Sequence, residues 1–174
     1  TSMLLFLPAI IATYAFTGSI EFKLGGVLRP EVSGTTISIV MLLFVFGIGK
    51  AAVMPLHAWL PTAMVAPTPV SALLHAVAVV KAGAFGIVGI VDDVYGIETA
   101  AGLGVLQPLA VMAAVTIVYG SVRALFQDGL KKRLAYSTIS QVSYIVLGTA
   151  LAVPAASAGA LAHLVHQGIM KITL

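Results

Sequence analysis

No cysteine occurs among the 174 residues. Disulfides, thiolate metal sites and thiol nucleophiles are therefore excluded, and cysteine usage cannot mark a redox compartment. Charge is nearly as scarce. Only 9% of the residues are Asp, Glu, Lys or Arg, while 60% are hydrophobic. A soluble domain carries about 25% charged residues, so this chain cannot cover a water-facing surface. A mean hydropathy of +1.09 likewise points to a lipid bilayer as the solvent. The formal net charge is +3, but the one basic cluster, Lys131, Lys132 and Arg133, runs straight into Leu134 and Ala135, so nucleic-acid binding is not expected. There is no glycine-rich phosphate loop. His163 and His166 stand at i, i+3 without a carboxylate nearby in sequence, which argues against a metal site. No cofactor, metal or catalytic centre is expected. The chain opens on Thr1 with no charged region before its first apolar stretch, so that stretch does not read as a signal peptide. It stops inside an apolar run, and further helices are expected on both sides.

What the chain has instead is long apolar runs. A spanning helix needs roughly 20 mostly apolar residues. Six stretches qualify or come close: 3–19, 35–54, 70–91, 103–126, 134–152 and 155–174. Unpaired backbone groups are not tolerated in lipid, which leaves helices or a closed barrel. Unbroken apolar runs without alternation exclude the barrel. The expected fold is an all-α, polytopic transmembrane bundle, with residues 1–174 forming one membrane domain. Residues 92–98 carry three acids and no base, whereas 128–133 carry three bases and one acid. The positive-inside rule places 128–133 in the cytoplasm and 92–98 outside. Counting back puts 20–34 outside and 55–69 inside. The stretch 54–70 holds Pro55, Pro61, Pro67 and Pro69. Each proline removes a donor and disfavours helix before it. That stretch reads either as an interfacial loop anchored by Trp59 or as a broken helix re-entering the membrane.

Three lysines lie within the apolar runs: Lys50, Lys81 and Lys171. A charge at mid-bilayer costs about 2.5–3.5 kcal/mol on insertion scales. Low dielectric disfavours an ammonium, which suits a buried lysine to gaining and losing a proton near neutral pH. Snorkelling is a bland alternative for Lys50 if its helix stops at Pro55, and a poor one for Lys81 near mid-span. All six acids lie in connections, so a partner would be a histidine, water, or a carboxylate outside this chain.

Other polar residues fall on helical stripes. His163, Gln167 and Lys171 follow i, i+4, i+8 on one face. Ser71 and His75 are one turn apart, and on a continuous helix His75 and Lys81 would be about 9 Å apart along the axis. Thr116, Tyr119, Arg123 and Gln127 form a further stripe, as do Ser137, Ser140, Gln141 and Tyr144. Interhelical hydrogen bonding is the plain reading of these last two. His166 is off the main stripe, and His57 reads as interfacial.

The segments KAAVMPLHAWLPTAMVAPTPVSALLHAVAVVKAG (50–83), LKKRLAYSTISQVSYIVLG (130–148) and HLVHQGIMKITL (163–174) resemble the antiporter-like membrane subunits. That family is shared by respiratory complex I, the membrane-bound hydrogenases and the Mrp-type sodium/proton antiporters, and the Mrp-type members are the most similar. The resemblance covers nearly the whole chain. It implies a fold of about fourteen helices built from inverted repeats that each hold a broken helix, with this chain matching helices six to eleven. It assigns proton transfer to Lys50, His75, Lys81, His163 and Lys171. In several relatives a second histidine stands where this chain has Gln167, and His166 is a candidate substitute. Ser71 and Tyr144 are further candidate relays. The carboxylate expected to pair with Lys50 would precede Thr1.

Together these readings predict a proton-translocating membrane subunit of a multisubunit cation/proton antiporter. It would have no redox centre of its own and would sit as a multi-pass protein in the inner (plasma) membrane of the cell. Its expected partners are other membrane subunits, protons, sodium as a candidate second ion, and the lipid bilayer. The alternative is a proton-pumping subunit of NADH:quinone oxidoreductase or of a membrane-bound hydrogenase. An ordinary solute transporter, a purely structural subunit and a membrane hydrolase using Ser71 and His75 are the remaining classes.

Overall fold

The computed structural model describes residues 2–19, 21–23, 25–27, 33–76, 78–102, 104 and 106–173, without the side chains of residues 2, 3 and 74–76. Among the described residues every regular element is helical. The first two, α1 (Ser2–Thr17) and α2 (Gly34–Gly47), are apolar and pack on each other, with Phe6 edge-on to Phe44 at 5.5 Å. The connection between them crosses to the far end of a later helix. There Val27 N–H donates to the Val94 carbonyl at 2.8 Å, and Glu21 pairs with Lys23 at 3.7 Å. Gly26 makes that crossing possible: its φ is +87°, and a Cβ would stand 2.5 Å from the Tyr95 backbone. Arg29 and Glu31 of this connection lie outside the described residues.

The helix expected over 35–54 ends earlier. After Gly47 the chain makes one 3₁₀ turn, Gly49–Ala51, and Ala52 then enters the left-handed region at φ 54°. Glycines at 47 and 49, followed by Pro55, weaken the helix where it would have to continue. Turns lead to α3 (Trp59–Thr62), a second 3₁₀ turn (Ala63–Val65) and α4 (Thr68–Ala76). Residues 53–67 are thus short helical turns and loops. The Trp59 indole N–H donates to the Gly49 carbonyl at 3.1 Å and fastens this segment to the Lys50 turn.

The run expected as one helix over 70–91 is divided. α4 ends at Ala76, and α5 spans Val79–Gly89. Between them Ala78 N–H reaches the Leu73 carbonyl at 3.1 Å, an i→i−5 bond that widens the turn. The axial separation of about 9 Å expected for His75 and Lys81 requires an unbroken helix, and this interruption removes that basis. α5 continues into a π-helical segment, Ile90–Tyr95, which Gly96 ends. A short α6 (Ile97–Gly102) precedes three long helices: α7 (Leu106–Leu125), α8 (Leu130–Ala150) and α9 (Pro154–Ile172). Pro154 opens α9 at a position where a missing N–H costs nothing.

Among the described residues α7 is the one helix both long and apolar enough to cross a membrane by itself. Its 20 residues rise about 30 Å, the thickness of the hydrocarbon core. α8 is its antiparallel neighbour and carries more hydroxyls. Thr138, Ser143 and Thr149 turn their hydroxyls back onto carbonyls four residues earlier, at 2.8–3.0 Å, which satisfies them in an apolar setting. Ser121 and Ser140 join α7 to α8 at 2.9 Å. Outward faces are apolar, with Val115, Val118, Val165 and Ile169 all more than half exposed. The core beneath is formed by Ile37, Met41, Val91 and Tyr95 on one side and by Leu60, Val80, Ile139 and Ile145 on the other. Lys131 Nζ reaches the Ala66 carbonyl at 3.4 Å. Ala66 and Lys131 therefore share one end of the bundle, and α8 leads from there to the other end, where Ser157 meets Asp92 and Val27 meets Val94.

Candidate functional site

The three lysines occupy three different environments. Lys50 sits on the 3₁₀ turn that ends α2, not within a helix interior, and its side chain is exposed. It lines a cleft of about 620 Å³ whose other walls include Leu5, Phe46, Pro55 and Trp59. The turn is pressed against α5: a Cβ on Gly83 would come within 2.5 Å of Ala51 N and 2.8 Å of the Lys50 carbonyl carbon. Ala52, fully buried, holds a left-handed backbone that costs a non-glycine residue about 1–2 kcal/mol. Such strain persists only where packing enforces it.

Lys81, in the first turn of α5, is 8% exposed. It is the one charged side chain lining a cleft of about 430 Å³ between α5 and α9, among Phe85, Leu164 and Ile169. On α9 the stripe expected from spacing faces inward. His163 is half-buried, its ring edge-on to Tyr144 at 6.2 Å, and its Nε2 has no hydrogen-bond partner among the described residues. One turn on, Gln167 is fully buried, and among the described residues neither its Oε1 nor its Nε2 is partnered. One turn further, Lys171 donates to Ser137 Oγ at 3.0 Å and to the Leu134 carbonyl at 3.4 Å. Among the described residues the ion pair is Glu21–Lys23, so none of the three lysines has a carboxylate partner there.

Lys81, His163, Gln167 and Lys171 are thus gathered where α5, α8 and α9 meet, and Lys50 stands apart on the far side of α5. His166 is exposed on the outer face of α9, and Tyr144 is 46% exposed. The backbone of His75 belongs to α4, and its side chain lies outside the described residues. Ser71 is buried and its hydroxyl donates to the Ala66 carbonyl at 3.0 Å, holding the start of α4 against the proline-rich segment.

Four contacts are not legible from spacing. The partner of Lys171 is neither histidine nor carboxylate but the Ser137 hydroxyl and a helix carbonyl. Spacing marks Ser137 only as helix–helix glue. Thr116 accepts the Met54 N–H at 3.1 Å, giving the broken segment a partner on α7. His57 stacks edge-on against Tyr119 at 4.9 Å, and burial lowers its imidazole pKa while the Pro55 carbonyl opposes the shift. At the opposite end Ser157 donates to Asp92 Oδ1 at 3.4 Å. Burial raises the Asp92 carboxyl above the usual range, the Ser157 bond lowers it, and Asp93 raises it further. The signal for this last pair is the acidic run 92–93, which in sequence bears only on orientation.

The family profile described as NADH:quinone oxidoreductase/Mrp antiporter, transmembrane, matches residues 1–174. NAD(P)H-quinone oxidoreductase subunit 5 from the chloroplast of Zygnema circumcarinatum is 39% identical over 97% of the chain and 24% of that relative. NAD(P)H-quinone oxidoreductase chain 5 of Synechocystis sp. is 38% identical over the same shares, 97% and 24%. A solved structure of the Mrp complex from Dietzia sp. superposes with a TM-score of 0.84 at 32% identity, covering 97% of this chain and 18% of that one. The chain spans about a quarter of the length of these curated relatives.

Proposed function

The chain belongs to the NADH:quinone oxidoreductase/Mrp antiporter transmembrane family, and from that premise we propose that it forms part of a proton-translocating subunit of a multisubunit cation/proton antiporter. The observation that carries the reading is the meeting of α5, α8 and α9, where Lys81, His163, Gln167 and Lys171 share one interface without a carboxylate among the described residues. Two lysines and a histidine brought together in an apolar bundle are costly when charged, and such intramembrane groups typically mark proton relays. Lys81 shares a cleft with Leu164 and Gly168 of α9, and the stripe on that helix runs by single turns from His163 to Lys171.

Lys50 is the proposed switch. It stands on broken backbone, facing a cleft of about 620 Å³. A carboxylate within about 4–6 Å favours a charged lysine, and its withdrawal releases that bias. His75 and Lys81 would pass the proton laterally across α5. Gln167 cannot be protonated at physiological pH, but its buried amide can hold water by donating and accepting at once. The basic connection 128–133 is assigned to the cytoplasmic side and the acidic 92–98 to the outside of an inner (plasma) membrane.

The test is ion flux in vesicles containing the assembled complex. Lys81→Ala and Lys50→Ala are each expected to abolish coupled proton movement while assembly is retained. Normal flux in both variants would sink the proposal. A second reading has a specific observation in its favour: the relatives at 38–39% identity are named as quinone oxidoreductase subunits. If flux followed quinone reduction and ignored a sodium gradient, that reading would replace the antiporter one.

A further inference from the structure

The exposed side of α7 combines features that the proton path does not use. A cleft of about 600 Å³ runs along it, lined by Ala114, Val115, Val118, Tyr119, Val122 and Arg123. From Ala114 to Arg123 the helix rises about 14 Å, close to the depth of one leaflet's hydrocarbon. The channel is apolar along its length and polar only at one end. There the Arg123 guanidinium lies 5.6 Å from the centre of the Tyr136 ring, and the Tyr119 ring meets Tyr136 edge-on at 6.5 Å. Arg133 joins that end of the helix, donating Nε and Nη2 to the Gln127 carbonyl at 3.2 and 2.9 Å. Lys132 is exposed in the connection that follows, Lys131 reaches the Ala66 carbonyl, and Asp128 is the one acid there.

A basic residue in the last turn of a helix is favoured by the helix dipole. That explains an arginine at 123 but not an apolar channel leading away from it. An acyl chain requires an apolar slot of leaflet depth, and a phosphate requires a planar, bidentate donor at its mouth. We propose that this face binds one anionic glycerophospholipid. Its phosphate lies on Arg123, with the Tyr119 and Tyr136 hydroxyls as further donors, and one acyl chain lies along Val115, Val118 and Val122. Arg123 itself, followed by a connection, 128–133, with three bases and one acid, selects an anionic headgroup over a zwitterionic one.

The experiment uses the full-length subunit in its assembled complex, purified and examined by native mass spectrometry with added phosphatidylglycerol or phosphatidylcholine. A photoreactive phosphatidylglycerol with its label in the acyl chain maps the site. The expected result is cross-linking to the peptide 114–123 and at least a five-fold preference for phosphatidylglycerol. Arg123→Gln should remove the preference, and Arg123→Lys should leave part of it. Val118→Trp should fill the channel and lower binding of both lipids. Equal retention of the two lipids by the wild type and Arg123→Gln would overturn the proposal. Cross-linking of α7 to a protein segment instead of lipid would also overturn it, by showing that another helix covers the channel.

Discussion

One methyl group added at Gly83 tests whether contact between α5 and the Lys50 turn organises the site. A Cβ there would lie 2.5 Å from Ala51 N, 2.8 Å from the Lys50 carbonyl carbon and 2.9 Å from Ala51 Cα. Ordinary contact begins at 3.4 Å, so the turn and helix must part by about 0.9 Å. All three atoms are backbone, and no side-chain rotation can relieve the overlap. The turn has little freedom to retreat, since the Trp59 indole ties it to Gly49 and Ala52 is already left-handed. Overpacking of this kind costs about 1–3 kcal/mol. Replacing glycine in a helix interior returns about 0.5–1 kcal/mol, so the steric cost wins. Gly86 is the control: a Cβ there meets only the flexible Ile48 side chain, nearest at Cδ1, 3.4 Å away. Gly83→Ala is therefore expected to lower thermal stability and proton flux in vesicles, while Gly86→Ala leaves both near wild type. Indistinguishable flux and melting for the two variants would refute the reasoning, because the contact would then not matter.

Three further outcomes follow from other contacts. Gln167→Leu should cut proton flux about ten-fold, the factor for roughly 1.4 kcal/mol of lost relay interaction, and Gln167→His should restore it; equal flux in the leucine variant would exclude Gln167 from the path. Tyr95→Phe removes the buried bond from Tyr95 Oη to the Ile37 carbonyl at 3.0 Å and should destabilise by about 0.5–1.5 kcal/mol in thermal unfolding. Asp92 has its carboxyl pKa raised on folding, so the folded state takes up a proton more readily there than the unfolded chain does. Its contribution to stability is greatest at low pH and declines as pH rises through the raised value. Melting curves should show that decline in the wild type, more steeply in Ser157→Ala and not in Asp92→Asn.

The class of fold is legible because it rests on composition: too few charges for water, and apolar runs that lipid forces into helices. The stripe on α9 is legible because His163, Gln167 and Lys171 repeat at four-residue spacing, which is geometry that sequence carries directly. The local interruptions are a different matter. Nothing in HAVAVVKAGA announces the widened turn at Ala78, since the run contains no proline and its apolar residues suit either backbone. The π-helical segment at Ile90–Tyr95 is equally silent. In a soluble helix a lost or added residue shifts the polar face and betrays itself. Here most faces are apolar, and the shift leaves no mark. Proline marks the broken segment from Pro55 onward, but the glycines at 47 and 49 move its start ahead of Lys50. The lysine expected inside a helix therefore stands on a turn.

That displacement changes what each lysine can do. Lys171 is held by two neutral oxygens, and the two are not equivalent. The Leu134 carbonyl can only accept, so it favours the ammonium. The Ser137 hydroxyl can accept from an ammonium or, by rotating, donate to an amine. Lys171 thus keeps a partner in both protonation states, which a carboxylate would not allow without a large bias toward charge. The Gln167 amide has the same two-way capacity toward water, one turn away. Lys50 lacks such a ligand among the described residues and faces an open cleft. We propose that the stretch at α9 conducts a proton with little preference for where it rests. Between that stretch and Lys50 stands Lys81, buried on α5 directly behind the glycine that packs against the Lys50 turn. If the proposed switch works through that turn, its movement should reach Lys81 through the backbone contact at Gly83, and an unchanged proton flux in Gly83→Ala would refute this coupling.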